Sequence, residues 1–279
     1  MQFCHIAPTD YLYASCRDSG AHLILAHLVE TDSVYARTFS QEDKKLKILD
    51  NSAFEMFKQG RDMYPSEKLI NMGHAVLADV IVMTDYPAEP SEKTIEKAYE
   101  LGPLFHDEGF QAFFVPQSDL GDIEGYIRSI DWAATSPYVD YIGISILGAP
   151  NAFGVERGNQ MQRFVSRFMI MDVLERRGIL DKMKQNNKRL HMLGMVDGPN
   201  EIRLLKRFAK YIDTWDSSAA YWYGYNKVTF DKSPTGALSG KFELEVDFNV
   251  KYSVDLEVMR AISHNVNYIN SLVCEFNKQ

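Results

Sequence analysis

Residues 111-QAFFVPQSDLGDIEGYIRSIDWAATSPYVDYIGIS-145 hold two short apolar runs on either side of an amphipathic stretch. The runs 111-QAFFVP and 139-VDYIGIS are short for helices and too uniformly apolar for strands with one wet face, so they read as strands buried on both sides. Between them, 119-DLGDIEGYIRSIDWAA has helical spacing. Strand, helix and strand in one continuous segment call for parallel pairing, because parallel neighbours need a long crossover.

The same unit recurs along the chain. Further strands are read at 22-HLILAHLV, 46-LKILD, 79-DVIVMT, 189-RLHMLGMV and 209-AKYIDTW. Helices are read at 66-SEKLINMGHAVLA, 91-SEKTIEKAYELGPLFHDEG, 160-QMQRFVSRFMIMDVLERRG and 199-PNEIRLLKRFA, with Ser66 as an N-cap after Pro65. Six or seven such units in 279 residues are most economically a closed (β/α)8 TIM barrel, one α/β domain over 1–279. A basic insertion falls at about 151–188. Beyond residue 224 the rhythm changes. Residues 227–250 alternate and carry Pro-Thr-Gly and Leu-Ser-Gly turn signals, giving a hairpin, and a last helix over roughly 254–276 closes the barrel wall.

Composition narrows the function classes. Hydrophobic content of 46% and charged content of 24% are those of a globular chain, and no apolar run approaches the ~20 residues of a membrane span. The N-terminal MQFCHIAPTDYLYAS lacks the order of a signal peptide, and the three cysteines (Cys4, Cys16, Cys274) show no C-x-x-C. The expectation is a cytoplasmic protein with reduced thiols and no thiolate metal site. The net charge of −8 is unevenly spread: Arg157 to Lys210 holds thirteen Lys/Arg against five Asp/Glu, so that segment is +8 and the remainder −16. Such a block is either a face for phosphates or a set of solvated helix surfaces. His5, His22 and His27 read as core or surface side chains rather than metal ligands.

A barrel builds its site from the C-terminal ends of its strands. Those ends are Asp50-Asn51-Ser52, Thr84-Asp85-Tyr86, Pro116-Gln117-Ser118, Gly143-Ile144-Ser145, Asp197-Gly198, and Asp213 with Asp216. Each polar residue alone can be a helix cap. That alternative weakens for Asp50 and Asp216, whose small or capping-competent followers can do the capping instead. Two carboxylates facing one pocket suit chemistry at a sugar carbon, one attacking or stabilising an oxocarbenium-like centre while the other moves a proton. Gln117 and Asp85 suit the edge of a flat heterocycle, and Phe54 or Tyr86 its face.

Several of these stretches resemble the tRNA-guanine transglycosylase superfamily. The run 48-ILDNSAFEMFKQG is similar to its Asp-Ser-Gly-Gly/Ala-Phe-Gln motif, and 66-SEKLINMGHAVLADVIVMTDYP to its segment ending in Phe-Asp-Glu-Cys. The stretch 114-FVPQ stands where that family has Gln-Gly-Gly, and 143-GISILG where it has Gly-Gly-Leu-x-x-Gly. The later 192-MLGMVDGPNEI resembles Leu-Met-Gly-x-Gly-x-Pro-Glu-Asp, and 212-IDTWDSSAAYWYG the nucleophile segment Asp-x-Phe-Asp-Ser-Ala-Ala-Tyr.

The resemblance implies exchange of guanine in nucleic acid for a 7-deazaguanine. It assigns Asp216 as the nucleophile that attacks C1′ and Asp50 as the general acid/base. Asp85, Gln117 and the backbone of Gly143 would recognise the base, and Phe54 would stack on it. Asn51, Ser145 and Gly194, on the same segments, complete the substrate-binding set, and Asp213 becomes structural.

The chain departs from that family in three places. The zinc motif Cys-x-Cys-x-x-Cys is missing, Gln-Gly-Gly is Gln117-Ser118-Asp119, and the second Gly of Gly-Gly is Ile144. A zinc-less, cofactor-free, single-domain form looks most like the phage and bacterial 7-deazaguanine DNA transglycosylases. The implied partners are DNA, or else tRNA, and a queuosine- or archaeosine-precursor base, with no membrane and a monomer or weak dimer. The alternatives are a tRNA enzyme, a hydrolytic nucleoside glycosidase, and a non-catalytic nucleic-acid-binding barrel.

Overall fold

The computed structural model describes residues 1–42, 44–156, 159–195, 198–230 and 255–278. Its apolar runs become eight short strands: β1 (Gln2–His5), β2 (His22–Leu25), β3 (Lys47–Asp50), β4 (Val80–Val82), β5 (Gln111–Phe114), β6 (Tyr141–Ser145), β7 (Arg189–Leu193) and β8 (Ile212–Ser217). All ladders are parallel, in the order β1-β8-β7-β6-β5-β4-β3-β2. β1 lies beside β2, where the Phe3 carbonyl accepts the N–H of Gly20 at 2.7 Å, so the sheet curls into a nearly closed barrel. The chain is the (β/α)8 barrel that the repeating unit implied. Ile81, Phe113, Ile142, Met192 and Trp215 are wholly buried, as strands covered on both faces require.

The lower rim carries a device repeated three times. Asp79, Asp140 and Asp213 stand at the starts of β4, β6 and β8, and each takes a backbone N–H from the preceding strand. The donors are Lys47 (2.8 Å), Ala112 (2.8 Å) and Leu190 (2.9 Å). These strand-edge donors would otherwise go unpaired at the barrel floor. Asp213 also meets Lys184 at 3.1 Å, which gives it the structural role expected for it.

Some boundaries differ from the sequence expectations. β1 went unread, because four residues with no preceding helix give no periodic signal. The run 22–29 is a strand only to Leu25, whose N–H goes to the Tyr35 hydroxyl at 3.1 Å, and the chain turns helical over Ala26–Thr31. Ser66 is not a cap but the first helical residue of Ser66–Val76; Pro65 precedes it and no side chain caps that end. The stretch 199–209 splits into a helix at Asn200–Leu204 and a 3-10 turn at Leu205–Phe208. The expected hairpin over 227–250 lies, for residues 231–250, outside the described residues.

The last helix spans Leu256–Phe276 and packs on the helix Ala219–Tyr225 that follows β8. Gly224 permits the contact, since a Cβ there would lie 2.3 Å from Ile262 Cγ1. Buried Asn265 donates to the Val228 carbonyl and accepts from the Phe230 N–H, which fixes the chain leaving β8. Among the described residues no helix is long and apolar enough to cross a membrane.

Candidate active site

The C-terminal end of β3 turns sharply. Asp50 Oδ2 accepts the Ser52 N–H at 2.9 Å, and Asn51 Oδ1 accepts the Ala53 N–H at 2.9 Å. Ser52 takes a left-handed φ of 57°, fully buried, and its hydroxyl meets His27 Nδ1 at 2.9 Å. A non-glycine residue holds this conformation only when its surroundings enforce it. The turn launches the helix Ala53–Gln59, which carries Phe54, Glu55 and Phe57. Phe54 and Phe57 are each 45% exposed, so neither ring is committed to the core. The Tyr86 ring, the other stacking candidate, is covered by Lys93 Nζ at 4.1 Å from its centroid.

Three strand ends are tied together at Asp85. The Asn51 amide donates to Asp85 Oδ1 (2.9 Å) and to the Met83 carbonyl (2.7 Å), while Gln117 Nε2 donates to Asp85 Oδ2 at 2.6 Å. A carboxylate can only accept here, so the Gln117 NH2 must face it. Gln117 Oε1 is left as a buried acceptor with no partner among the described residues. Burial pushes the Asp85 carboxyl up to about 6, against the pull of the Asn51 and Gln117 hydrogen bonds.

Across the mouth, β8 presents Asp216, 3% exposed. Its Oδ1 receives two contacts, His191 Nε2 at 2.9 Å and the Gly194 N–H at 2.9 Å. His191 Nδ1 meets the Thr214 hydroxyl at 2.7 Å. A carboxylate oxygen can only accept, so His191 Nε2 is the donor of that contact. Oδ2 receives no hydrogen bond from a described residue. β1 adds an inert wall: Cys4, in register with Asp216, has its thiol held protonated by burial and by the nearby carboxylate.

Asp50 is the second acid. It keeps some contact with solvent, yet burial raises its pKa well above the usual range. The charge of Glu55 adds to this, opposed by the Ser52 N–H, with smaller contributions from Asp216 and Asp85. Burial likewise pushes Glu55 up to about 7, its own backbone N–H and Lys58 opposing and Asp216 adding to the rise. Asp50 and Glu55 therefore both feel the other acids of the mouth as well as their own burial.

The remaining expected residues divide. Ser145 Oγ accepts the Gly148 N–H at 2.7 Å, so its hydroxyl is engaged by the backbone at the start of the helix Gly148–Ala152. Gly143 lies inside β6, where a Cβ would fall 2.5 Å from Phe113 Cε2 and 2.7 Å from Leu193 Cδ1, so barrel packing explains that glycine. Ile144 alternates with it into the core and is fully buried. Gly194 has φ +70° and belongs to the Asp216 contacts. Ser118 bonds the neighbouring Asp119 carbonyl. Trp215 and Tyr221 are buried in the wall. Asp197 lies outside the described residues, as does Arg157.

Three partners went unread in the sequence: His191, Thr214 and Glu55. For His191 and Thr214 the available signal was a polar residue inside an otherwise apolar buried strand, which needs a partner; Glu55, on the helix Ala53–Gln59, gave no such signal. Most of the basic block is also already engaged. Arg176 and Arg207 pair with Asp172, Arg177 with Glu124, Lys182 with Asp131, and Lys188 with backbone carbonyls. Among the described residues no cluster of three or more His, Cys, Asp or Glu is arranged to hold a metal.

No family model matches the chain, and no curated protein matches it either. What the fold and the site define is a (β/α)8 barrel whose mouth joins one hydrogen-bonded acid to a second whose ionisation is suppressed.

Proposed function

We propose that this barrel is a base-exchange transglycosylase that replaces guanine in DNA with a 7-deazaguanine through a covalent bond to Asp216. The observation that carries the proposal is the inequality of the two acids. Asp216 has one oxygen fixed by His191 and Gly194 and the other without a hydrogen bond from a described residue, while burial and the Glu55 charge shift Asp50 toward its protonated form.

In the first step Asp216 Oδ2 bonds to C1′ as the C1′–N9 bond breaks. The guanine leaves with that electron pair and takes the Asp50 proton. In the second step the incoming base gives its N9 proton to the Asp50 carboxylate, N9 bonds to C1′, and Asp216 departs unchanged. The unpartnered Gln117 Oε1 suits an N–H donor on the base edge, and exposed Phe54 suits its face. A duplex guanine would have to leave the stack to reach the barrel mouth.

The test is to incubate the protein with a labelled 7-deazaguanine and either duplex DNA or tRNA, then count label in the recovered polymer. Label in DNA supports the proposal, and label in tRNA alone moves the substrate to RNA. Guanine released without incoming base makes the protein a hydrolase. Salt-sensitive binding without turnover, surviving removal of both acids, makes it a binding protein.

A further inference from the structure

Arg167 belongs to the helix Gln160–Arg176, within the stretch whose charge suggested a phosphate face, yet its side chain is 0% exposed. Its Nη1 donates to the Gly194 carbonyl at 2.8 Å and lies 3.2 Å from Glu201 Oε1, also fully buried. The guanidinium stands over Trp215, 5.5 Å from the ring centroid, and Trp215 Nε1 donates to the same Gly194 carbonyl at 2.8 Å. One helical turn earlier, Arg163 Nη2 donates to the Ile146 carbonyl at 3.2 Å. Ile146 in turn gives its N–H to Leu193 and fills the space beside Gly194. Two arginines four residues apart thus grip the carbonyls just past β6 and β7.

A buried charge pair is a costly way to fill space that apolar side chains fill well. Here the cation reaches a carbonyl whose residue, in a left-handed conformation, sends its N–H to Asp216 Oδ1. We propose that Arg167 is a positioning residue: by holding the Gly194 carbonyl it keeps the Gly194 N–H on Oδ1 and leaves Oδ2 of Asp216 as the reactive oxygen. This rests on the transglycosylase function above for its kinetic consequence, though not for its structural one.

The test compares the full-length wild type with R167K and with the double variant R167M/E201M, which leaves no buried charge alone. The Gly194 amide and His191 Nε2–H are followed by NMR, alongside thermal midpoints and the kcat and KM of base exchange. In a folded double variant the Gly194 amide proton should move upfield, and kcat should fall about 10- to 100-fold with KM for the incoming base nearly unchanged. R167K should lie between. An unmoved Gly194 amide in the folded double variant overturns the proposal, as does an unchanged kcat in an active protein. If the wild type exchanges no base, the function has failed by itself and the amide shift alone decides. If the double variant does not fold, R167K and Trp215→Phe replace it: both should move the same amide, and no movement in either overturns the proposal.

Discussion

His191 Nε2 stands 2.9 Å from Asp216 Oδ1, and the imidazole is locked from behind by the Thr214 hydroxyl at 2.7 Å. The ring is wholly buried, so its one task in the described structure is to fix that carboxylate. Replacing His191 with Asn should lower kcat about 10- to 100-fold through loss of orientation. It should also destabilise the fold by about 1–3 kcal/mol through the orphaned Thr214 and the cavity against Phe113. Steady-state kinetics and thermal unfolding of the purified variant check both numbers.

Glu55 is the charge that contributes most to the suppressed ionisation of Asp50, after burial itself. Glu55→Gln removes that charge, so the Asp50 pKa should fall toward the ordinary range. A protonated Asp50 serves the first step, so the alkaline limb of the kcat profile should move to lower pH in the variant. A profile that stays in place would separate Glu55 from the proton transfer.

The same substitution has a stability signature. Folding raises the Glu55 carboxyl from 4.5 to about 7, so the group favours the folded state below pH 4.5, and that contribution is lost as pH rises through 7. Glu55→Gln should therefore be more stable than the wild type at pH 8, by about 1–3 kcal/mol, and indistinguishable from it at pH 4. Denaturant titrations at the two pH values measure the difference.

Gly143 has no room for a side chain. With a Cβ 2.5 Å from Phe113 and 2.7 Å from Leu193, Gly143→Ala should force one of those side chains aside and cost about 1–3 kcal/mol. Thermal unfolding tests this. A neutral outcome would show that the barrel interior yields there, and would return Gly143 to consideration as a backbone contact.

How much was legible in the sequence depended on how local each feature is. β3 to β8 stood out because a strand covered on both faces must be apolar along its whole length. The acids Asp50, Asp85 and Asp216 and the amide of Gln117 stood out because they interrupt that pattern where the strands end. β1 did not, since Gln2–His5 offers four residues and no preceding helix. Glu55 faces the site only because Ser52 adopts a left-handed turn, which propensity alone does not foresee. Arg167 counted as one more cation in a basic stretch, because its partner Glu201 lies 34 residues further on. Pairing at that distance is a property of the folded barrel.

The most direct measurement is a search for the covalent intermediate. The protein is mixed with guanine-containing DNA without incoming base, quenched by denaturation, and digested for mass spectrometry. A peptide spanning residues 212–224 carrying a glycosyl mass on Asp216, absent from Asp216→Asn, is the expected result. An adduct on another residue, or full base exchange by Asp216→Asn, would contradict the assignment of Asp216 as the nucleophile.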